Sequence, residues 1–408
     1  MKPSPTPFRV ALLVAAGAFL FLVGCPPAPP PAPPPATPAV PATAPLAPAP
    51  CPRFGDDLAF AGLEEALARG IAWMKRQPPG RLFDFGSERY PASHLVGSLE
   101  RFRDLIASSP SADAFQANLE KEFRCYRASG RDGAGEVLFT GYYEPILAGR
   151  RAPDAEFRHP LWGRPDDLIT VDLGEFHEKY RGERIAGRLE GTRLVPYPER
   201  REIEEQGLLF DRARPLAWVR DPLELFFLHV QGSGRIELED GETLRVGYEA
   251  SNGRPYRSIG RLLIEEGKVP REEISLAAIK RYLRAHPEEI GRVLSFNPSY
   301  VFFRLVPEGP IGSLGVPLTA GRSLALDRRL FPEGAIAFAV SRKPAPGDPS
   351  PLPPFWREMR RFLLVQDTGS AITGPGRADI FWGGGPEAET AAGHLNHPGE
   401  LYFLLLKP

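Results

Sequence analysis

The chain has 408 residues, of which 42% are hydrophobic and 25% charged, and its formal net charge is -1. That is an ordinary globular composition, long enough for two domains, and a balance so near neutral excludes a protein that grips nucleic acid with a broad basic face. The anomaly is a total of 47 prolines, crowded most densely between Pro26 and Pro52.

The first residues, MKPSPTPFRVALLVAAGAFLFLVGC, place Lys2 and Arg9 ahead of an apolar run from Val10 to Val23, with a small residue before Cys25. This is the form of an export signal, too short and too closely followed by a cleavage-like site to make a membrane-spanning helix. Leu22-Val23-Gly24-Cys25 resembles the lipobox of bacterial lipoproteins. It implies a signal over 1–25, lipid on Cys25 and a protein held in the outer membrane, facing the periplasm. Pro26 is not the aspartate associated with inner-membrane retention. Residues 26–52 carry no charge and no packing pattern, so they read as an extended proline-rich linker reaching ~80 Å. In an oxidising compartment the other two cysteines, Cys51 and Cys125, form either a disulfide or a pair of free thiols. His394 and His397 are close together but have no cysteine or carboxylate at ligand spacing, so no metal is expected.

From Asp56 the pattern is helical. Asp56 and Asp57 can cap LAFAGLEEALARGIAWMKRQ, HLVGSLERFRDLIAS repeats apolar positions at helical spacing, and Ser111 precedes ADAFQANLEKEFRCYR. After Gly130 the chain turns to strand: GEVLFTGYYEPILAG, DLITVDL, PLAWVRD, LELFFLHVQGSGRIEL and ETLRVGYEA are rich in β-branched and aromatic residues and are separated by turn residues. Helical patterns return over 258–266 and 271–285. The rest is short apolar runs broken by glycine and proline, SLALDRRLF, GAIAFAV, RFLLVQD, ADIFWG and ELYFLLLKP, a spacing that suggests a closed barrel more than an open sheet.

The stretch LLVQDTGSAITGPGRADIFWGGG holds Asp367 at the exit of one apolar run and Asp379 at the entry of another. Most glycosidases work with two carboxylates, and a carboxyl beside Ile380, Phe381 and Trp382 is suited to a raised pKa because desolvation disfavours its charge. Spacing alone makes two turn aspartates the commoner explanation. The surrounding words are more specific. GYYEPILAG at Gly141, FFLHVQGSGRIELEDG at Phe226, SNGRPYRSIGRLL at Ser251, NPSYVFFR at Asn297, GVPLTAGRSLALD at Gly315 and QDTGSAITGPGRADIFWGGGPEAETAAG at Gln366 together resemble the membrane-bound lytic murein transglycosylase A family, over most of the chain from about residue 90.

The resemblance implies a mainly β fold with N-terminal helices: a double-psi β-barrel with an inserted second β-domain. Its parts would be a helical portion at 53–147, the insertion at 148–303 and the end of the main domain at 304–408, the last resembling a three-aspartate domain. The family's aspartates fall on Asp327, Asp367 and Asp379, with Asp379 as the catalytic acid and base. The implied enzyme is a peptidoglycan lytic exotransglycosylase, a carbon–oxygen lyase with no cofactor. It cuts the β-1,4 bond between N-acetylmuramic acid and N-acetylglucosamine and leaves 1,6-anhydro ends. Its partner is the peptidoglycan glycan strand, for which Tyr143, Gln231, Ser233, Asn252 and Trp382 are candidate binding residues, with Tyr142 and Tyr256 beside them. Two competing functions remain: a two-carboxylate muramidase with Asp367 as partner of Asp379, and a non-catalytic glycan-binding lipoprotein.

Overall fold

The computed structural model describes residues 44–345, 355–369 and 371–408; the expected signal, Cys25 and most of the proline-rich linker lie outside the described residues. The chain is mainly β, with helices gathered before residue 123 and scattered through the middle. Its first part runs β1 (Leu46–Ala49), α1 (Leu63–Lys75), β2 (Leu82–Phe85), β3 (Glu88–Pro91), α2 (Ala92–Ser108), α3 (Ala112–Glu122), β4 (Phe123–Ala128) and β5 (Val137–Glu144). β1 lies inside the segment expected to be linker. It pairs antiparallel with β4 at the edge of a sheet, where Pro48 is tolerated because an edge strand can leave one side unpaired. Cys51, just after β1, is disulfide-bonded to Cys125 in β4, with Cα atoms 5.3 Å apart.

Asp56 and Asp57 do not cap α1, whose N-cap is Gly62. The two Asp56 oxygens receive the Arg322 guanidinium at 2.6 and 2.8 Å, and Asp57 receives Arg361 at 2.8 and 2.7 Å together with Lys343. Arg322 and Arg361 are fully buried, so each needs its carboxylate to offset desolvation. The aspartates therefore fasten the start of the fold to strands near its end. α1 buries Leu63, Leu67, Ile71 and Met74, one stripe at helical period, and with α2 and α3 it covers an apolar core in which Phe362 lies 4.7 Å from Phe338 and 5.0 Å from Phe102 between ring centroids.

The middle runs β6 (Ile146–Arg150), β7 (His159–Trp162), β8 (Ile169–Asp172), β9 (Arg184–Glu190), β10 (Arg193–Pro196), α4 (Arg200–Gln206), β11 (Pro215–Val219), α5 (Pro222–Gln231), β12 (Ser233–Leu238), β13 (Thr243–Ser251), α6 (Ile259–Glu265), α7 (Leu276–Ala285), α8 (Ile290–Ser295) and β14 (Val301–Leu305). Six of these strands make a sheet in the order β14-β13-β12-β6-β11-β7, and β10-β9-β8 make a separate one. LELFFLHVQ, expected as strand, is the helix α5. Asp221 accepts from the amides of Leu223 and Glu224, Pro222 opens the first turn, and Gly232 at φ 79° ends it, a complete set of start and stop signals. The run is apolar on nearly every face because α5 is buried nearly all round.

The last part runs β15 (Ser323–Ala325), β16 (Ile336–Pro344), β17 (Trp356–Asp367), β18 (Arg377–Gly384), α9 (Pro386–His394) and β19 (Asn396–Leu406). Together with the first part it forms an eight-stranded sheet, β1-β4-β19-β16-β17-β15-β18-β5, in which β19 also pairs with β5. The short strand β15 brings the aspartates into one neighbourhood: its Ala325 stands opposite Asp367 of β17 on one side and Asp379 of β18 on the other. With strands about 4.8 Å apart, the two aspartates start from backbones roughly 10 Å apart.

Candidate active site

Two adjoining cavities, about 790 and 340 Å³, lie where β5 and β18 meet α5, α6 and the chain after β13, and both are bordered by Thr140, Gly141, Gln231, Tyr256 and Arg377. Gly141 is required here: a Cβ on it would come within 2.7 Å of the Trp382 ring and 2.8 Å of the Ala392 backbone.

Asp379 borders the smaller cavity. It is partly exposed as a residue, yet its Oδ1 is shut from solvent and has no hydrogen-bond partner. Burial pushes its pKa up; Arg377 opposes the rise and Asp367 adds to it, leaving the carboxyl at about 6. The alternation of β18 explains the placement. Ile380 faces the main core while Asp379 and Phe381 face the other way, Phe381 lying 5.3 Å from the Tyr142 ring.

Asp367 and Asp327 are in different circumstances. Asp367 Oδ1 accepts from the amides of Ser313 at 2.8 Å and Thr368 at 2.9 Å, and Oδ2 accepts from the Tyr142 hydroxyl at 2.8 Å. Burial still raises its pKa against those bonds. Asp327 does not border either cavity. Burial works against its charge, but Arg329 and the Gly374 amide more than compensate and hold its pKa below the usual range. Its oxygens take Arg329 Nε at 2.9 Å, Arg329 Nη2 at 2.7 Å and the Gly374 amide at 2.9 Å. It thereby anchors the loop that leads into Asp379.

The candidate binding residues divide. Gln231, at the end of α5, borders both cavities, and its Oε1 accepts from the Tyr143 amide at 3.0 Å. Tyr143 borders the larger cavity although it is almost fully buried, with a hydroxyl near Glu389 that has no hydrogen-bond partner. Tyr142 borders the smaller cavity and Tyr256 both. Ser233, Asn252 and Trp382 border neither. Ser233 is buried at the start of β12, opposite Gly247. Asn252 is wholly buried: Nδ2 donates to the carbonyls of Pro198 and Pro298, both at 2.9 Å, and Oδ1 accepts from the amides of Tyr300 at 2.9 Å and Arg254 at 3.3 Å. With both donors and both acceptor sites occupied, it ties loops together and has nothing left for a sugar. Trp382 shares the inward face of β18 with Ile380, under the Arg361 guanidinium at 5.3 Å.

Residues that the motifs did not single out also border the cavities. Arg377 borders both cavities and reaches Thr140 Oγ1 at 3.1 Å. Arg200 and His229 border the smaller one, and Tyr256 lies within electrostatic reach of Arg377, Arg200 and Asp379 together. His229 was visible in HVQGSGR; what it lacked was a partner, since Arg200 lies 29 residues away. His394 and His397 bond the carbonyls of Thr390 and Pro398, and no group of three metal-ligating side chains converges among the described residues.

Comparison with known proteins agrees with this geometry. Residues 138–304 match the MltA specific insert domain and residues 322–405 the 3D domain. The chain is 35% identical over 282 residues to the membrane-bound lytic murein transglycosylase A of Vibrio cholerae, covering 68% of each protein, and 34% identical over 286 residues to that of Escherichia coli, covering 69% of each. The chain belongs to the membrane-bound lytic murein transglycosylase A family. Solved structures of the family agree in fold: a membrane-bound lytic murein transglycosylase from Agrobacterium tumefaciens (TM-score 0.70, 32% identity, 86% of this chain and 93% of that one), and E. coli MltA with bound chitohexaose (TM-score 0.66, 26% identity, 90% and 96%). The mainly β architecture is thus that of the family.

Proposed function

We propose that Asp379 is the sole general acid and base of this chain's reaction on peptidoglycan. The chain is a lytic murein transglycosylase, as its relatives are named. The observation that carries the assignment to Asp379 is its desolvated Oδ1, without a partner, on a carboxyl held near 6 at the wall of a cavity. Below that pH the protonated carboxyl gives its proton to the oxygen leaving N-acetylmuramic acid C1. The resulting carboxylate then takes the proton of the same sugar's 6-hydroxyl as that oxygen closes on C1. No water is consumed and the new end is 1,6-anhydro. Because the attack is intramolecular, orientation replaces an activated external nucleophile. Asp367 would hold Tyr142 and the chain around Ser313 and Thr368, and Asp327 the approach to Asp379; Tyr143, Gln231 and Arg377 would line the bed for the glycan strand.

The two-carboxylate muramidase is disfavoured because both oxygens of Asp367 are engaged. A pure glycan binder would have no use for a carboxyl destabilised by burial. Mass analysis of muropeptides released from purified sacculi tests the reading: anhydro products, lighter by one water than hydrolysis products, are expected, and reducing ends would overturn it.

Two finer readings belong with this one. The enzyme is membrane-associated, as the relatives are named, and its anchor would be lipid on Cys25 at the periplasmic face of the outer membrane. The sequence Leu22–Cys25 supports this. Cys25→Ser should then lack lipid and leave the membrane fraction; unchanged lipid mass would rule the anchor out. The eight-stranded sheet would be a double-psi β-barrel carrying the 148–303 insertion. In support, β19 pairs with β5 as well as with β16 and β4, and the six-stranded sheet draws all its strands from Ile146–Leu305. A crystal structure with β5 and β19 unpaired would exclude it.

A further inference from the structure

His229 is unusual among the groups at the smaller cavity. It sits in the last turn of α5, almost fully buried, its ring 4.4 Å from that of Tyr300 and 5.6 Å from that of Phe303. Arg200 Nη2 lies 3.0 Å from His229 Nδ1. A guanidinium can only donate, so Nδ1 is the acceptor and the ring proton is on Nε2. That Nε2–H has no partner. Arg200 is itself fixed by Glu204 at 2.8 Å and the Ser299 carbonyl at 2.9 Å. Burial and the Arg200 charge hold the ring neutral, so it stays a donor through one defined atom across the physiological range.

Among the buried side-chain atoms without partners at this cavity, donors outnumber acceptors. His229 Nε2, Arg200 Nε and Arg377 Nε are buried donors without partners, and Asp379 Oδ1 is the one such acceptor among the described residues of the smaller cavity. A group that reaches these donors should bring acceptor oxygen. A sugar hydroxyl brings an acceptor and a proton; an acyl oxygen brings only lone pairs. On each repeat of the glycan strand acyl oxygens occur as the carbonyl of the 2-acetamido group and, on the muramic sugar, as the carboxyl oxygens of the lactyl substituent.

We propose that His229 contacts substrate, its Nε2–H donating to an acyl oxygen of the sugar that lies against Asp379. The Arg200 contact fixes the tautomer and strengthens the donor by polarising the ring. This rests on the transglycosylase reading above and adds to it a residue that selects acylated sugars.

The test uses the full chain and two probes: chitohexaose, whose acyl groups are all acetamido, and glycan strands from sacculi, which also carry lactyl groups. In wild-type protein labelled with ¹⁵N-histidine, the Nε2 and Hε2 resonances of His229 should move when probe is added. This readout needs no substitution, so it holds even if a variant misfolds. His229→Phe, which keeps a ring and removes the donor, should weaken binding about tenfold, the size of one lost hydrogen bond. His229→Gln, with an amide donor near the Nε2 position, should recover part of it. A loss with both probes assigns the acetamido carbonyl; a loss with the sacculus strands alone assigns the lactyl oxygen. Wild type that binds and releases anhydro products while the His229 resonances and the His229→Phe affinities stay unchanged would overturn the proposal and leave the reaction standing. Wild type that neither binds nor cleaves would overturn both.

Discussion

The two walls of the cleft differ in which kind of polar group the scaffold leaves without a partner, a carboxyl acceptor on one and an imidazole donor on the other. On the wall formed by β18, Asp379 borders the cavity, and the two other motif aspartates behind it are committed to structure: Asp367 to two amides and a tyrosine, Asp327 to an arginine and the loop ahead of Asp379. Only Asp379 keeps an oxygen without a partner, on a carboxyl whose pKa burial raises. On the wall formed by α5 and the loop after β13, the most prominent polar residue of the motifs, Asn252, lies behind the surface and is fully committed, and the donor without a partner belongs to His229 in the last turn of an apolar helix. On each wall the scaffold leaves such a group without a partner, Asp379 Oδ1 on the first and His229 Nε2 on the second.

The largest effect is expected for Asp379→Asn, which keeps the shape and removes the transferable proton. Turnover should fall by roughly 10²–10⁴-fold while glycan affinity survives, with release of anhydro-muropeptides as the readout. Wild-type kcat/KM should be flat below about pH 6, the value near which burial holds Asp379, and fall tenfold per pH unit above it as the acid is lost. Stability carries the same signature. A carboxyl whose pKa is higher folded than unfolded favours the folded state at low pH, and that advantage disappears as pH rises from about 4 through about 6. At pH 7 Asp379→Asn should therefore be more stable than wild type by about 1–2 kcal/mol in denaturant titration; a destabilised variant would contradict the burial argument.

Asn252→Ala sharpens the other wall. It strands two carbonyls and two amides in the interior, so it should cost about 3 kcal/mol of stability, measured by chemical denaturation, with KM unchanged for the protein that remains folded. A raised KM at wild-type stability would return Asn252 to the binding surface. Asp327→Asn should have a smaller effect: it weakens the contacts to Arg329 and Gly374 by about 2 kcal/mol, and activity should fall with the order of the approach loop. Its loss should therefore be in kcat, with the pH limb of Asp379 unmoved. The smallest change is expected for Arg377→Met, which removes a nearby positive charge and should shift that limb upward by roughly half a pH unit.

The sequence was informative where local pattern and local chemistry coincide. β8, β11, β13 and β16 lie in the β-branched and aromatic runs that suggested them, and Asp379 sits at the strand entry where its apolar neighbours pointed to a raised pKa. It was misleading where the deciding partner is remote. Asp56 and Asp57 look like helix caps, but Arg322 and Arg361, more than 260 residues on, claim them. α5 reads as strand because a helix buried on nearly every side loses the 3.6-residue alternation that would identify it, and the Asp-Pro start and Gly232 stop were its only local signs. Ser233, Asn252 and Trp382 carry sugar-binding chemistry, and nothing in their neighbourhoods says that Ser233 and Asn252 are buried and that Asn252 spends its amide on loop backbone. His229 gave the reverse signal: an imidazole in an apolar stretch looks structural until Arg200 fixes its proton.

The Cys51–Cys125 bridge bears on how this molecule carries load. If the chain ahead of β1 is held at a membrane while the cleft grips a glycan strand fixed in the wall, relative movement of the two surfaces pulls on β1. An edge strand of four residues, Leu46–Ala49, held to β4 on one side, would peel one hydrogen bond at a time under modest tension. Peeling stops two residues later, at Cys51, where the pull passes through a covalent bond into β4, a strand flanked by β1 and β19 and backed by the helices. Traction then arrives in the interior of the sheet, and β18, which carries Asp379, can hold its geometry while the protein is under strain.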